Sequence, residues 1–457
     1  MRLFLRRNIR YGNDTGSNMN RKVILTIELV IFSVITSVQA TEQVSDTNDL
    51  QTLQDYLRYA SLNNAELKSK FHEWKAQVEQ IPQAKSLPDP KFTYGYFIKE
   101  VETRVGPQRQ RFEIMQTFPW FGVIEARTDQ AAAKAKASYQ RYQAKKLSLF
   151  RDVKFAFFEY VYLARAIDIT RENLELVTYF EEIARQRYAT STASHPDIIR
   201  AQIELAVLDD RLTSLKELRP AISTKLNSIL NRPVSDELPW PKPPEYQPVS
   251  MDFEQLYTMI IQNNPNLQAM GHEIEAARYN EKLAKKKTYP DLSIGVSYID
   301  TAHARASGMP VSDSGKDPVI GMISLNLPIW GDNYRAAERR ALEQIYQKTS
   351  EKTQMENTLA ADARQLLYEF ADSNRKIRLY KDAIIPKAKE MLIASQTAYK
   401  AGTIDSLSLI DAERTLLQYE LYYERLISEN SQKLAGLEML AGTELPVQQS
   451  EITEKTK

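Results

Sequence analysis

Cysteine is absent from this 457-residue chain, and histidine is down to 4 residues. The first absence excludes disulfides, thiolate metal ligation, a thiol nucleophile and a lipidated cysteine anchor. With so little histidine, and no nucleophile–base arrangement, phosphate-binding loop or zinc spacing, neither an enzyme nor a cofactor is expected. An excess of one charge is also missing: 60 Lys and Arg oppose 59 Asp and Glu. That balance excludes the strongly basic face of a general nucleic-acid binder. Glycine is scarce at 14 residues, while Ala, Leu, Lys, Glu and Gln abound, the composition of long helices. Beyond residue 40 no stretch of about 18 apolar residues occurs, so no later helix is expected to cross a membrane.

What is present begins with an export leader. Arg21-Lys22 precede the apolar run Val23 to Val38, broken by Glu28 and closed by the small-residue cleavage pattern Val38-Gln39-Ala40. Residues 1–40 therefore read as a signal peptide, with Met19 the natural start and the first 18 residues an upstream extension. The chain then repeats itself. Leu62-Asn63-Asn64-Ala65-Glu66-Leu67 returns as Gln262-Asn263-Asn264-Pro265-Asn266-Leu267, and His72-Glu73 as His272-Glu273. Phe118-Pro119-Trp120-Phe121-Gly122 returns as Leu327-Pro328-Ile329-Trp330-Gly331, and Arg187-Tyr188 as Ala398-Tyr399. The offset drifts from 200 (262 less 62) to 211 (398 less 187), as after duplication of one long unit followed by loop changes. The expected divisions are a first repeat over 41–230, a connector over 231–250 with six prolines, a second repeat over 251–445 and a polar tail over 446–457. The His-Glu pairs reflect the duplication rather than a metal site, because adjacent residues point to different helix faces.

Within each repeat the periodicity changes. Residues 41–86 read as helical until Pro88-Asp89-Pro90 stops them. Phe92, Tyr94, Tyr96 and Ile98 then alternate with Thr93, Gly95, Phe97 and Lys99, the first strand of a hairpin over about 91–118. The second hairpin, over about 291–327, opens with Leu292, Ile294, Val296 and Tyr298 and encloses a loop over 300–318 rich in Gly, Pro, Asp and Ser. Strands with one apolar face suit either a soluble antiparallel sheet or a transmembrane barrel. Trp120 and Trp330 end the hairpins where membrane-interface aromatics would stand. After Gly122 and Gly331 come long breaker-free stretches, Ile124–Tyr188 and Tyr334–Lys400, with Pro386 the single proline. Return helices follow with apolar heptads, Ile198 to Ile229 interrupted at Arg219 and Leu409 to Leu440 interrupted at Asn430. Such heptads mean left-handed packing of antiparallel helices. His195-Pro196 reads as the cap of the first, and the connector as lying along the surface. The fold class is mainly α with a small β part, built from a duplicated helix, β-hairpin, long helix and coiled-coil helix. Four strands cannot close a barrel alone.

Over about residues 50–445 the chain resembles the TolC-like outer-membrane efflux proteins, the outer membrane factors of tripartite efflux or type I secretion systems. The motif that carries the likeness is Ala398-Tyr399-x-x-Gly402-Thr403, then Leu407-x-Leu409-Ile410-Asp411-Ala412-Glu413-Arg414-Thr415-Leu416-Leu417, closing with Leu440-Ala441-Gly442. The corners at Pro119 and Gly122, and at Pro328 and Gly331, are similar too. The resemblance implies a homotrimer with a 12-stranded outer-membrane β-barrel continuous with a periplasmic α-helical barrel. It would passively conduct heavy-metal ions or drugs from an inner-membrane pump, such as an RND or ABC transporter, and a periplasmic adaptor. The alternative is a periplasmic coiled-coil adaptor or a structural protein of an envelope complex. By resemblance, Asp197 and Tyr399 stand where relatives lock the aperture, and Asp411 where they line it. Ser408 stands where a second Asp can occur and Ile404 where an Arg completes the lock in some relatives, which implies a lock that is either weaker or built from other residues. Gly402-Thr403 has no counterpart in Ser191-Thr192, so the valve is expected where the halves differ.

Overall fold

The computed structural model describes residues 50–244, 251–305 and 312–445. The expected signal peptide, the end of the connector, part of the 300–318 loop and the polar tail lie outside the described residues. The chain is mainly helical with one small sheet. The first half runs α1 (Leu53–Asn63), α2 (Ala65–Lys85), β1 (Lys91–Val101), β2 (Gln108–Phe118), α3 (Val123–Ala189) and α4 (His195–Leu230). The second runs α5 (Phe253–Asn263), α6 (Pro265–Lys286), β3 (Leu292–Thr301), β4 (Val319–Leu325), α7 (Gly331–Leu379), a π-helical turn (Tyr380–Ile384), α8 (Ile385–Ala401) and α9 (Ser406–Ala441). At about 1.5 Å per residue, the 67 residues of α3 reach roughly 100 Å.

Two sequence expectations are corrected here. The second long helix is not uninterrupted: the Ile385 N–H bonds back five residues, to Tyr380. Pro386 has no N–H to continue the α ladder, and the wider turn just before it absorbs the mismatch. Strand β4 ends at Leu325 rather than near residue 327, and Asn326 instead accepts a hydrogen bond from the Asp291 N–H.

The duplicated Asn-Asn pairs acquire a physical purpose. Asn64 caps α2 by accepting from the Leu67 N–H at 2.9 Å, while its amide donates to the Ile229 carbonyl at 2.8 Å. Asn264 accepts from the N–H groups of Asn266 (2.9 Å) and Leu267 (3.3 Å) and donates to the Leu440 carbonyl at 2.9 Å. Each asparagine thus caps one helix and satisfies a carbonyl in the last turn of the return helix. Asn264 is only 2% exposed. Asn264→Ala leaves those groups unpaired and is expected to cost about 1–3 kcal/mol, read from the urea midpoint of the detergent-purified protein.

Both breaks in the heptads are also explained. The Arg219 guanidinium lies 4.2 Å from the centre of the Trp240 ring and donates to the Leu238 carbonyl at 2.8 Å. Trp240 stacks on Tyr160, and Leu238 is buried in the core of α1, α3 and α4. The connector does not simply lie along the surface: its first part is anchored in that core. At the second break the Asn430 amide donates to Ser373 Oγ at 2.7 Å and to the Phe370 carbonyl at 3.2 Å, joining α9 to α7.

The strands form one antiparallel sheet in the order β1-β2-β3-β4, so β2 and β3 join the two halves. Phe92 faces Ile114, Ile114 faces Val296, and Ile294 faces Ile323 across the ladders. These residues make one apolar face that lies open, with Ile98 92% and Ile323 76% exposed. On the opposite face Arg111 Nε donates to Ser297 Oγ at 2.9 Å, and the hydroxyls of Thr117 and Ser293 lie 2.9 Å apart. A water-facing sheet has no reason to present such a face, whereas hydrocarbon does. At the far end the loops clasp one another. The N–H groups of Ala302 and Gly315 donate to the carbonyls of Pro107 (2.8 Å) and Val105 (2.7 Å).

Candidate aperture at the helix tips

The tips are the turns between α3 and α4 and between α8 and α9. Their backbones match closely. Ser191 takes φ 59° and Gly402 φ 78°, the left-handed conformation that closes a helix. The Thr192 N–H donates to the Arg187 carbonyl at 2.8 Å, and that of Thr403 to the Ala398 carbonyl at 3.0 Å. Ser191-Thr192 is therefore the structural counterpart of Gly402-Thr403, contrary to expectation. The tips differ in side chains, not in turn geometry.

Asp197 sits where the two return helices begin. Its carboxylate accepts from the N–H and hydroxyl of Ser194, at 3.0 and 2.9 Å, completing a capping box. Ser194, not His195-Pro196, is thus the N-cap of α4. The other carboxylate oxygen of Asp197 accepts from Ser406 Oγ at 2.5 Å, bonding α4 to α9. Burial works against the charge of Asp197. The hydrogen bonds from Ser406 and Ser194, with Arg200 at 3.8 Å, nonetheless hold its carboxyl below the usual range. Ser408 is exposed and spent locally, its N–H and hydroxyl donating to the α9 cap Asp405 at 3.0 and 2.8 Å. Asp411 is exposed on α9.

Tyr399 is buried at 2% exposure, with its ring beneath the Arg187 guanidinium at 4.5 Å. Arg187 also donates to the Tyr399 carbonyl, and to the Thr192 carbonyl at 2.8 Å. Burial and the nearby Asp197 charge raise the phenol's pKa, and Arg187 opposes them. Arg187, on α3, thus ties the first tip to the end of α8, and Ile404 packs against the apolar cluster that includes Tyr399 and Leu409. The structure brings Asp197 and Tyr399 together and leaves Ser408 and Asp411 exposed on α9.

Three candidates were not singled out from the sequence: Glu204, Arg187, which stood only as part of the repeated Arg187-Tyr188 pair, and Glu413, which stood only as a member of the quoted motif. Glu204 and Glu413 are 3% and 0% exposed. Glu204 accepts from Arg414 Nε at 2.8 Å. The signal was helical spacing: Asp197, Arg200 and Glu204 fall at i, i+3 and i+7 on one face of α4.

The strand-to-helix corners differ from each other. Gly122 has φ 75° and caps α3, and a Cβ there would lie 2.9 Å from Lys286 Nζ. Gly331 simply begins α7, and a Cβ added there meets nothing. Only the first corner demands its glycine. Pro119 and Pro328 each precede the residue opening a corner. Trp120 stacks on Tyr289 at 5.2 Å and its backbone N–H donates to the Asp291 carboxylate, whereas Trp330 occupies the N-cap position of α7 and is 73% exposed.

The model of the outer membrane efflux protein family matches residues 56–232 and 256–443. The chain belongs to that family. It is an efflux protein of the outer membrane, and the adaptor reading is not favoured. The cobalt-zinc-cadmium resistance protein CzcC of Cupriavidus metallidurans is 20% identical over 86% of this chain and 90% of its own length. The toxin and drug export protein A of Aggregatibacter actinomycetemcomitans is 24% identical, and its match covers 39% of each chain. Among solved structures the chain resembles CusC, at a TM-score of 0.73 and 14% identity, over 86% of this chain and 92% of CusC.

Proposed function

We propose that three copies of this chain form a conduit that passively carries solutes out of the periplasm. The observation that carries this reading is the open apolar face of a four-stranded sheet with two unpaired edges, β1 and β4 among the described strands. An open edge is not tolerated in hydrocarbon. Three chains of four strands make twelve, an even number that closes a barrel. The same threefold axis gathers the long helices into a tunnel, the two repeats giving it near-sixfold regularity.

Energy and selection lie upstream, in an inner-membrane pump of the RND or ABC type and a periplasmic adaptor meeting the helix tips. Relatives named for metal resistance and for toxin and drug export support a common pipe whose cargo is set by its pump. The tips form the aperture. Asp197, Ser406, Tyr399 and Arg187 hold its coiled coils together, and three exposed Asp411 carboxylates around the axis favour cations.

The test is conductance in planar bilayers. Asp197→Ala removes the bond to Ser406 and the α4 cap, so single-channel conductance should rise several-fold over the parent. An unchanged conductance removes Asp197 from the lock. Recovery of the parent protein from the soluble periplasm, with no conductance, would overturn the conduit itself.

A further inference from the structure

Glu413 stands apart from every other acid described. It projects from α9 into the bundle, its side chain has no access to solvent, and neither carboxyl oxygen has a hydrogen-bond partner. The cation beside it is already engaged, since Arg414 pairs with Glu204 of α4. Charges on two neighbouring elements are also paired among themselves. On α3 Glu181 accepts from Arg185 at 2.5 Å and from Gln202 at 3.1 Å, and on α8 Lys389 pairs with Glu420 at 3.0 Å. The α7 helix meets α9 through apolar residues such as Phe370 and Leu437. Glu204 and Arg414 are the charged groups that act on Glu413.

An ionised carboxylate with no partner is not stable in such a place, because desolvation disfavours the charged form. We infer that Glu413 carries a proton in the packed bundle, and that losing this proton loosens the contact between α4 and α9. The tip is then a proton-operated catch, set two helical turns above the Asp197–Ser406 bond. Its effect on conduction rests on the proposed aperture, but the catch itself does not.

The direction follows from the acid's environment. Burial, then the Glu204 charge, push Glu413 up to about 8, with Arg414 opposing. Once the contact opens, the carboxyl regains its ordinary affinity, with a pKa near 4.5. Below that value both forms hold the proton and the contact is at full strength. Between there and about 8 only the packed form holds it, so opening becomes easier by up to about tenfold per pH unit. Above about 8 the effect levels off.

Hydrogen–deuterium exchange of the full purified chain tests this, with rates corrected for intrinsic chemical exchange. Peptides covering the starts of α4 and α9 should lose protection at least about tenfold between about pH 6 and about pH 8, relative to peptides in α1 and α5. Glu413→Gln and Glu413→Met should each abolish that dependence; having two variants guards against one that folds poorly. Glu204→Gln should move the transition to lower pH, because it removes a like charge and frees Arg414. Equal pH dependence in the parent and both Glu413 variants would overturn the inference. Bilayer conductance over the same range decides the separate question: exchange that responds while conductance stays flat retains the catch and rejects the aperture.

Discussion

Gly442→Val should unfold the junction at the end of α9, with a loss of about 3 kcal/mol or more. Gly442 takes φ 78°, where a β-branched residue is strongly disfavoured. A Cβ there would also lie 2.4 Å from the Asn263 carbonyl oxygen and 2.7 Å from its carbon. Both are backbone atoms at the break between α5 and α6, so they cannot rotate away. The Asn264–Leu440 hydrogen bond depends on the same approach. The first half supplies a control. Asn231 occupies the equivalent left-handed position at φ 58°, and its amide donates to the Asn63 carbonyl at 3.2 Å. Asn231→Gly should therefore cost about 1 kcal/mol or less, because relief of the left-handed strain offsets the lost side-chain bond and the added chain entropy. Far-UV circular dichroism melts of the two variants, run beside the parent, make the comparison. Similar melting points for Gly442→Val and the parent would refute the close-approach argument.

Phe157→Ala should cost about 3–5 kcal/mol, the range for deleting a buried aromatic ring. Phe157 is fully buried on α3, edge-on to Tyr56 of α1 at 5.2 Å and to Phe158 at 5.7 Å. Its cluster includes Leu226 and Leu230 of α4 and Leu238 of the connector, so one cavity would weaken four segments at once. Phe155, two residues earlier and 38% exposed, is the matched control, and its alanine variant should change stability by no more than about 0.5 kcal/mol. Equal losses at both positions, by denaturant midpoint, would contradict the assignment of this core.

The return helices show why some features are legible and others are not. Ile198, Ala201, Leu208, Leu409, Ala412 and Leu416 are buried where the heptads put them, because periodicity alone decides which face of a helix is apolar. The interruptions at Arg219 and Asn430 read only as breaks. Their partners, Trp240 and Ser373, lie 21 and 57 residues away in sequence (240 less 219, 430 less 373), and no local pattern links them. At the tips Tyr399, in the quoted motif, and Asp197, by resemblance, could be singled out, whereas Arg187 could not. Its role comes from α3 ending beside α8, a contact between the two repeats.

The sequence by itself determined the elements and the alternation that gives each strand an apolar face, since each depends on residues within a few positions of one another; the duplication was legible because the same local patterns recur 200 to 211 residues on. Composition alone removed thiol chemistry. The tertiary structure decided which buried polar groups have partners. It gave Asp197 a bond to Ser406 and closed the Gly442 junction on Asn263. It also left Glu413 sealed without a partner. Those outcomes depend on how two distant helices meet, and a hydrogen bond or a missing one exists only once both of its sides are in place.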